Sequence, residues 1–448
     1  MSRQKRQMNL TAFCFPPGAW RLPQASADID MSFTEYVHLA KTAERGKFDT
    51  LFFQDTAASY GSDAMSHGDR TGTYSRIVRL EPMTLLAGLA TVTKNIGLIA
   101  TGTTTYNDPY HLARRFLTID HMSGGRAGWN LVTSQIEDEA ANFGRDHHVD
   151  HAERYDRASE FYDVVADLWD SWEDGAILRD KASGLFFDAG KVHLLNHKGK
   201  HFSVRGPLNV ARSPQGRPVV AQAGSSEPGR ELAAKTADIV FTAQSTLSDA
   251  QDFYRDVKGR MGRYGRAPEH MRIMPGINIV VGRTESEARA RREEMDALIT
   301  DEVALRSIAR LTGGLDLSKY PIDGPLPELP PSNAAKARQK ILIDMARTEN
   351  LSIRQLAHRF AQATGHHVLV GTPAYMADVM EHWFMEGGAD GYTVLQPHYP
   401  QPLEDFVELV IPELQRRGIF RMEYSGTTLR ENLGVPFPEN RFMKSARA

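Results

Sequence analysis

The sequence holds one cysteine, Cys14, among 448 residues. A lone cysteine excludes an internal disulfide and any metal site built from several thiolates, and it fits a reducing compartment, so the cytoplasm is the expected location. Net charge is equally sparse at −3. With no broad positive field to gather phosphate backbones or anionic lipid, neither nucleic acid nor membrane is expected as a partner. Long uncharged apolar runs are missing too, and the basic, polar stretch from Met1 to Asn9 lacks the apolar segment of a secretory signal. Finally, no Gly-x-Gly-x-x-Gly follows a strand pattern and no Walker-type loop occurs. Tight binding of a dinucleotide or nucleoside triphosphate therefore has no support.

What is present is an ordinary globular composition, 41% hydrophobic and 24% charged, arranged in a repeated alternation of buried strand and amphipathic helix. Strand patterns cover Leu10 to Phe15, Asp49 to Asp55, Ile96 to Ala100, Ala127 to Ser134, Pro218 to Gln222, Asp238 to Ala243, Ile273 to Val281 and Gly391 to Gln396. Between them run helical patterns with recognisable starts, such as Ser32 with Glu35 and Asp108-Pro109. About eight strands alternating with helices favour a TIM-type (β/α)8 barrel over a doubly wound sheet. The expected organisation is a single α/β barrel domain over 1–448, with insertions at about 173–214 and 300–364. The Pro-rich stretch Pro321 to Pro331 marks the second insertion, and the carboxyl-terminal extension from Phe420 to Ala448 reads as polar and irregular.

In such a barrel the loops after the strands build the active site. Polar groups gather at those strand ends: Asp55, the threonines from Thr101 to Thr105, Asn130 with Ser134, Gly224 to Ser226, and Gln396 with His398. Any one of them is more simply a helix cap. The turn Ala223-Gly-Ser-Ser226, directly after a strand and opening a helix, is suited either to a phosphate at the positive helix end or to ordinary capping. His151 and Tyr155, at i and i+4, face the same way on the long helical pattern from Asp150 to Trp172. His147 and His151 at one helix face invite a metal reading, but no His-x-His follows the first strand and no third ligand is evident. Trp20, Trp129 and Trp383 suit either core packing or the wall of a flat ligand. No catalytic acid or base can be named from these patterns.

Read together, several segments resemble one family, the bacterial luciferase-like flavin monooxygenases, in the branch with nitrilotriacetate monooxygenase component A and dibenzothiophene sulfone monooxygenase. They are Ala19-Trp-Arg-Leu-Pro23, Phe52-Phe-Gln-Asp55, Tyr110-His-Leu-Ala-Arg-Arg115, Ser123-Gly-Gly-Arg-Ala-Gly-Trp-Asn-Leu-Val-Thr-Ser134, His151-Ala-Glu-Arg-Tyr155, Gln222-Ala-Gly-Ser-Ser226 and Gly426-Thr-Thr-Leu-Arg430. The resemblance implies a TIM-like barrel that uses reduced FMN, supplied by a separate NADH:flavin reductase, and O2. By matching motif it implies Asp55, Thr101, Asn130, His151, Tyr155, Ser225 and Ser226 as flavin contacts, with Tyr155 and the two serines nearest the phosphate. The implied reaction oxygenates a small organic sulfur or nitrogen compound and cleaves a C–S or C–N bond, and a homodimer or homotetramer is the family expectation. Two alternatives stay open: a barrel that binds flavin to sense or store it, and a metal-dependent barrel hydrolase.

Overall fold

The computed structural model describes residues 6–14, 19–59, 78–309, 311–330 and 336–445. Phe15, the last residue of the first strand pattern, and Pro331, the end of the Pro-rich stretch, lie outside the described residues. Eight strands close a parallel barrel: β1 (Asn9–Cys14), β2 (Thr50–Phe53), β3 (Gly97–Thr103), β4 (Ala127–Val132), β7 (Val219–Gln222), β8 (Ile239–Thr242), β9 (Arg272–Val281) and β11 (Gly391–Leu395). They pair in that order and β11 pairs back onto β1, with Leu10 opposite Tyr392. A small hairpin of β5 (His197–Lys198) and β6 (Ser203–Val204) stands apart from the barrel.

One strand departs from the sequence reading. β10 (His367–Gly371), placed before the helix at Pro373, pairs in parallel with the last residues of β9, Ile277 to Val281. β9 is long enough to pair with β8 through Arg272 to Pro275 and then with β10 further along the same edge. The short run His367-Val-Leu-Val-Gly371 followed at once by a helix, so it carried too little pattern to separate from the insertion before it. A second departure concerns β3, which continues through Thr101 to Thr103 instead of stopping at Ala100. Threonine is β-branched and favours the strand.

Helices form where caps and spacing ask for them. Asp108 accepts hydrogen bonds from the Tyr110 and His111 amides and Pro109 occupies the first turn of helix Pro109–Ser123. Ser32 caps Phe33–Arg45 through the Glu35 amide at 3.4 Å. Outward-facing strand residues and the helices share the largest core, in which Trp129 packs on Phe116, Phe161 and Trp169. Segment 173–214 is mostly irregular but tied down: Glu160 accepts from the His201 and Phe202 amides and meets His197 Nε2 at 2.9 Å. Among its described residues, segment 300–364 holds the α-helices Asp301–Ala309, Lys336–Thr348 and Ile353–Ala363 around an apolar cluster of their own that includes Ile308, Leu342 and Phe360. Among the described residues no helix is long and apolar enough to cross a membrane.

The carboxyl-terminal extension is neither uniformly polar nor irregular. Leu429, Leu433 and Val435 pack against Phe52, Ile99, Ile239 and Met274 and close the amino-terminal end of the barrel. Arg430 reaches Asp238 at 2.9 Å and Arg421 reaches Asp49 at 2.5 Å, each carboxylate standing just before a barrel strand. The extension reads as polar and irregular in sequence because the partners of its charges are far along the chain, at sequence separations of 192 and 372.

Candidate active site

The strand period of two sends alternate side chains into the barrel. Thr11 and Thr50 meet inside, hydroxyl to hydroxyl, at 2.7 Å, and Ile99, Val219, Ile239 and Met274 fill the same interior. One step nearer the carboxyl ends, Phe13, Phe52 and Phe241 converge with centroids 5.1 to 5.9 Å apart. These rings form an apolar floor. Beside them Thr101 on β3 donates to the Phe53 carbonyl at 2.8 Å and accepts from Asn130 Nδ2, on β4, at 2.8 Å.

That arrangement leaves Asn130 Oδ1 buried without a partner on a side chain only 2% exposed. A buried unmade hydrogen bond costs about 1–3 kcal/mol, so the oxygen is open to a donor that the described residues do not supply. The ring imide N–H of a flavin has the required chemistry, and the phenylalanine floor suits its flat apolar body. At the end of β2, burial pushes the Asp55 carboxyl up to about 6, and Glu81 and Glu139 add to the rise against the Thr56 amide and Arg79. Near neutral pH Asp55 therefore exchanges between donor and acceptor.

A second group forms where β7 turns into helix Glu227–Thr236. Ser226 caps that helix by accepting from the Gly229 amide, and Gln222 Oε1 accepts from the Gly224 amide at 2.6 Å. The Tyr155 hydroxyl lies 3.4 Å from Ser226 Oγ, and the His151 ring packs on Tyr155 with centroids 4.9 Å apart. Gly224 is required by crowding: an added Cβ would stand 2.5 Å from Gln222 Nε2, 3.0 Å from the Tyr155 hydroxyl and 3.1 Å from Gly229 Cα. Arg230 Nε holds the turn from below through the Ser225 carbonyl at 3.0 Å. A helix start with the Ser226 and Tyr155 hydroxyls beside it has the chemistry to hold a phosphate. Between Tyr155 and His151 on the same helix, Arg154 is buried and its guanidinium donates to the Ser134 carbonyl just past β4.

Other residues singled out in the sequence serve elsewhere. Thr103 and Ser134 share a hydroxyl bond of 2.8 Å, and Thr104 and Thr105 donate to the Val132 and Thr133 carbonyls, so these threonines fasten the loop after β3 to that after β4. Trp129 is outward core, its indole N–H on the Gly102 carbonyl. Burial raises the Cys14 thiol above its ordinary range, which leaves it unreactive. The helix begins at His151, so His147 does not share its face; the His147 ring is exposed beside Glu137, while His148 is buried against the Tyr106 hydroxyl at 2.6 Å. Burial holds His398 down to about 4, in a cleft with Leu22, Val280 and Arg291 where β9 projects past its neighbours. Both ends of the Gln396 amide are buried and unpartnered. The phenylalanine floor was not foreseen, although its period-two placement at Phe13, Phe52 and Phe241 was readable once the strands were known.

Comparison with known proteins agrees with this architecture. A family model described as luciferase-like monooxygenase matches residues 8–391. The chain is 50% identical to nitrilotriacetate monooxygenase component A of Aminobacter aminovorans, over 98% of this chain and 99% of that protein. It is 48% identical to N-acetyl-S-(2-succino)cysteine monooxygenase of Bacillus subtilis, over 99% of this chain and all (100%) of that protein. Among solved structures, a riboflavin lyase crystallised with modified FMN and its substrate riboflavin superimposes with a TM-score of 0.85 at 30% identity, covering 96% of this chain and 97% of that one. The chain belongs to the luciferase-like monooxygenase family.

Proposed function

We propose that this luciferase-like monooxygenase is the oxygenating component of a two-component system that takes reduced FMN from a separate NADH:flavin reductase. Its substrate is a small organic nitrogen or sulfur compound, cleaved at a C–N or C–S bond. The observation that carries the reading is the buried, unpartnered Asn130 Oδ1 beside the phenylalanine floor. Asn130 and Thr101 would hold the ring edge, Asp55 would bond a second polar edge, and Tyr155, Ser225 and Ser226 would hold the phosphate, with His151 fixing Tyr155 in place.

Reduced FMN, when bound, supplies the electrons that divide O2 between the substrate and water. The chain's part is exclusion and orientation. Phe13, Phe52 and Phe241 keep water from the ring, while Asn130 fixes its rotation in the barrel mouth. No side chain is asked to act as a covalent nucleophile. The same reading makes the protein a cytoplasmic homodimer or homotetramer; light scattering on the purified chain checks the oligomeric state.

The test is a reconstituted reaction with NADH, an NADH:FMN reductase, FMN, O2 and nitrilotriacetate, the compound named for the relative at 50% identity. Expected is C–N cleavage in step with oxygen consumed, lost when the reductase is left out. FMN binding without turnover across a panel of amines and thioethers would instead support the sensing barrel.

A further inference from the structure

His366 ends the segment that follows helix Ile353–Ala363, and its ring lies flat on Phe241, centroids 5.2 Å apart and planes within 10°. It is the one residue of that segment stacked on the phenylalanine floor described above. Gly276 of β9 makes room for it: a Cβ there would stand 2.3 Å from His366 Nδ1. Nε2 faces Arg338 at 2.8 Å. A guanidinium can only donate, so Nε2 must accept and the ring proton must sit on Nδ1. Burial and the neighbouring Arg338 charge both hold the imidazole neutral, well below its usual pKa, which agrees with that tautomer.

His366 Nδ1 is thus a donor on a residue only 5% exposed, with no partner among the described residues. Behind it, the Arg338 guanidinium is half-buried with no carboxylate to offset it among the described residues; desolvation brings it down to about 10, and its other bond goes to the Thr364 carbonyl. A half-buried positive charge without a counter-ion is unfavourable, and an anion arriving at the next atom along would relieve it. The pair also stands away from the ring-edge contacts. From β3, which carries Thr101, β9 is four strands off in either direction, through β4, β7 and β8 or through β2, β1 and β11.

We propose that His366 Nδ1–H, held in that tautomer by Arg338, receives a carboxylate of the substrate and so selects acidic compounds. This rests on the flavin reading of the barrel mouth and adds to it the charge of the substrate. Arg338 is the positioning residue and His366 the contact. No residue in the ring-edge or phosphate groups takes part.

The probe is iminodiacetate against its uncharged dimethyl ester, titrated calorimetrically into the full chain with and without oxidised FMN, whose own affinity is measured alongside. Wild type should bind the diacid at least about tenfold tighter than the ester, the worth of one hydrogen bond to a charged group. His366→Leu should lose about that factor for the diacid while ester and FMN affinities stay put. His366→Asn, which keeps a donor near the Nδ1 position, should recover part of it, and Arg338→Gln should lose it. Equal binding of diacid and ester, no diacid binding, or undiminished diacid binding by His366→Leu overturns the proposal, and intact FMN affinity in those cases leaves the flavin reading standing. Failure of wild type to bind FMN removes that reading separately, because the titration without FMN still measures the carboxylate contact.

Discussion

Asn130 shows how much one side chain can say. Its amide nitrogen donates to Thr101, while its oxygen has no partner among the described residues and is free to accept from a ligand. Asn130→Leu keeps the volume and removes the acceptor, and it should weaken reduced FMN about tenfold or more with little change in Tm, read by anaerobic titration and by thermal melting. Asp55 makes a different prediction. Its folded pKa, about 6, lies above the 3.8 of an unperturbed aspartate, so its contribution to stability is fully present below the lower value and lost as pH rises through the higher one. Asp55→Asn, neutral throughout, should therefore melt above wild type at about pH 8, and the gap should close as pH falls towards about 4. Melting curves that stay parallel across that range would remove the burial argument. Asn130 and Asp55 were legible in the sequence because each is polar at the end of an apolar run. His366 was not, since its meaning depends on Arg338 and Gly276, which lie 28 residues before it and on another strand.

At the scale of elements, the turn between β7 and helix Glu227–Thr236 is where sequence and geometry agree best. A strand, a glycine and two serines opening a helix is a local pattern, and the structure adds only what packs on it, Tyr155 from a distant helix. Gly224→Ala drives a methyl group towards Gln222, Tyr155 and Gly229, and the turn must shift to admit it. The expected result is a loss of FMN affinity of about tenfold, with a smaller loss for riboflavin, which lacks the phosphate; equal losses for both would place the phosphate elsewhere. Elements set by long-range pairing were harder to read. β10 is short and finds its place only because β9 outruns β8, and β3 runs on through its threonines because β4 is there to pair with Thr101 and Thr103.

Over the whole molecule, the two ends of the barrel do different work. The carboxyl ends carry the Asn130 and Gln396 amides with unpartnered buried atoms, and the amino ends are covered by the carboxyl-terminal extension, with Arg430 on Asp238 and Arg421 on Asp49. Arg430→Met should cost about 3–5 kcal/mol in chemical denaturation, because it strands a buried carboxylate, and Asp238→Asn in the same chain should restore part of that. The closed barrel was foreseeable from the alternation of strands and helices, whereas the seal was hidden by the sequence distance between its charges.

The most direct measurement is an anaerobic titration of the chain with reduced FMN, followed by tryptophan fluorescence. Saturable binding is predicted, weakened about tenfold or more in Asn130→Leu and, for FMN but not for riboflavin, in Ser226→Ala. A folded wild-type protein that binds no reduced FMN, or variants that bind it as tightly as wild type, would contradict the assignment of the barrel mouth to flavin.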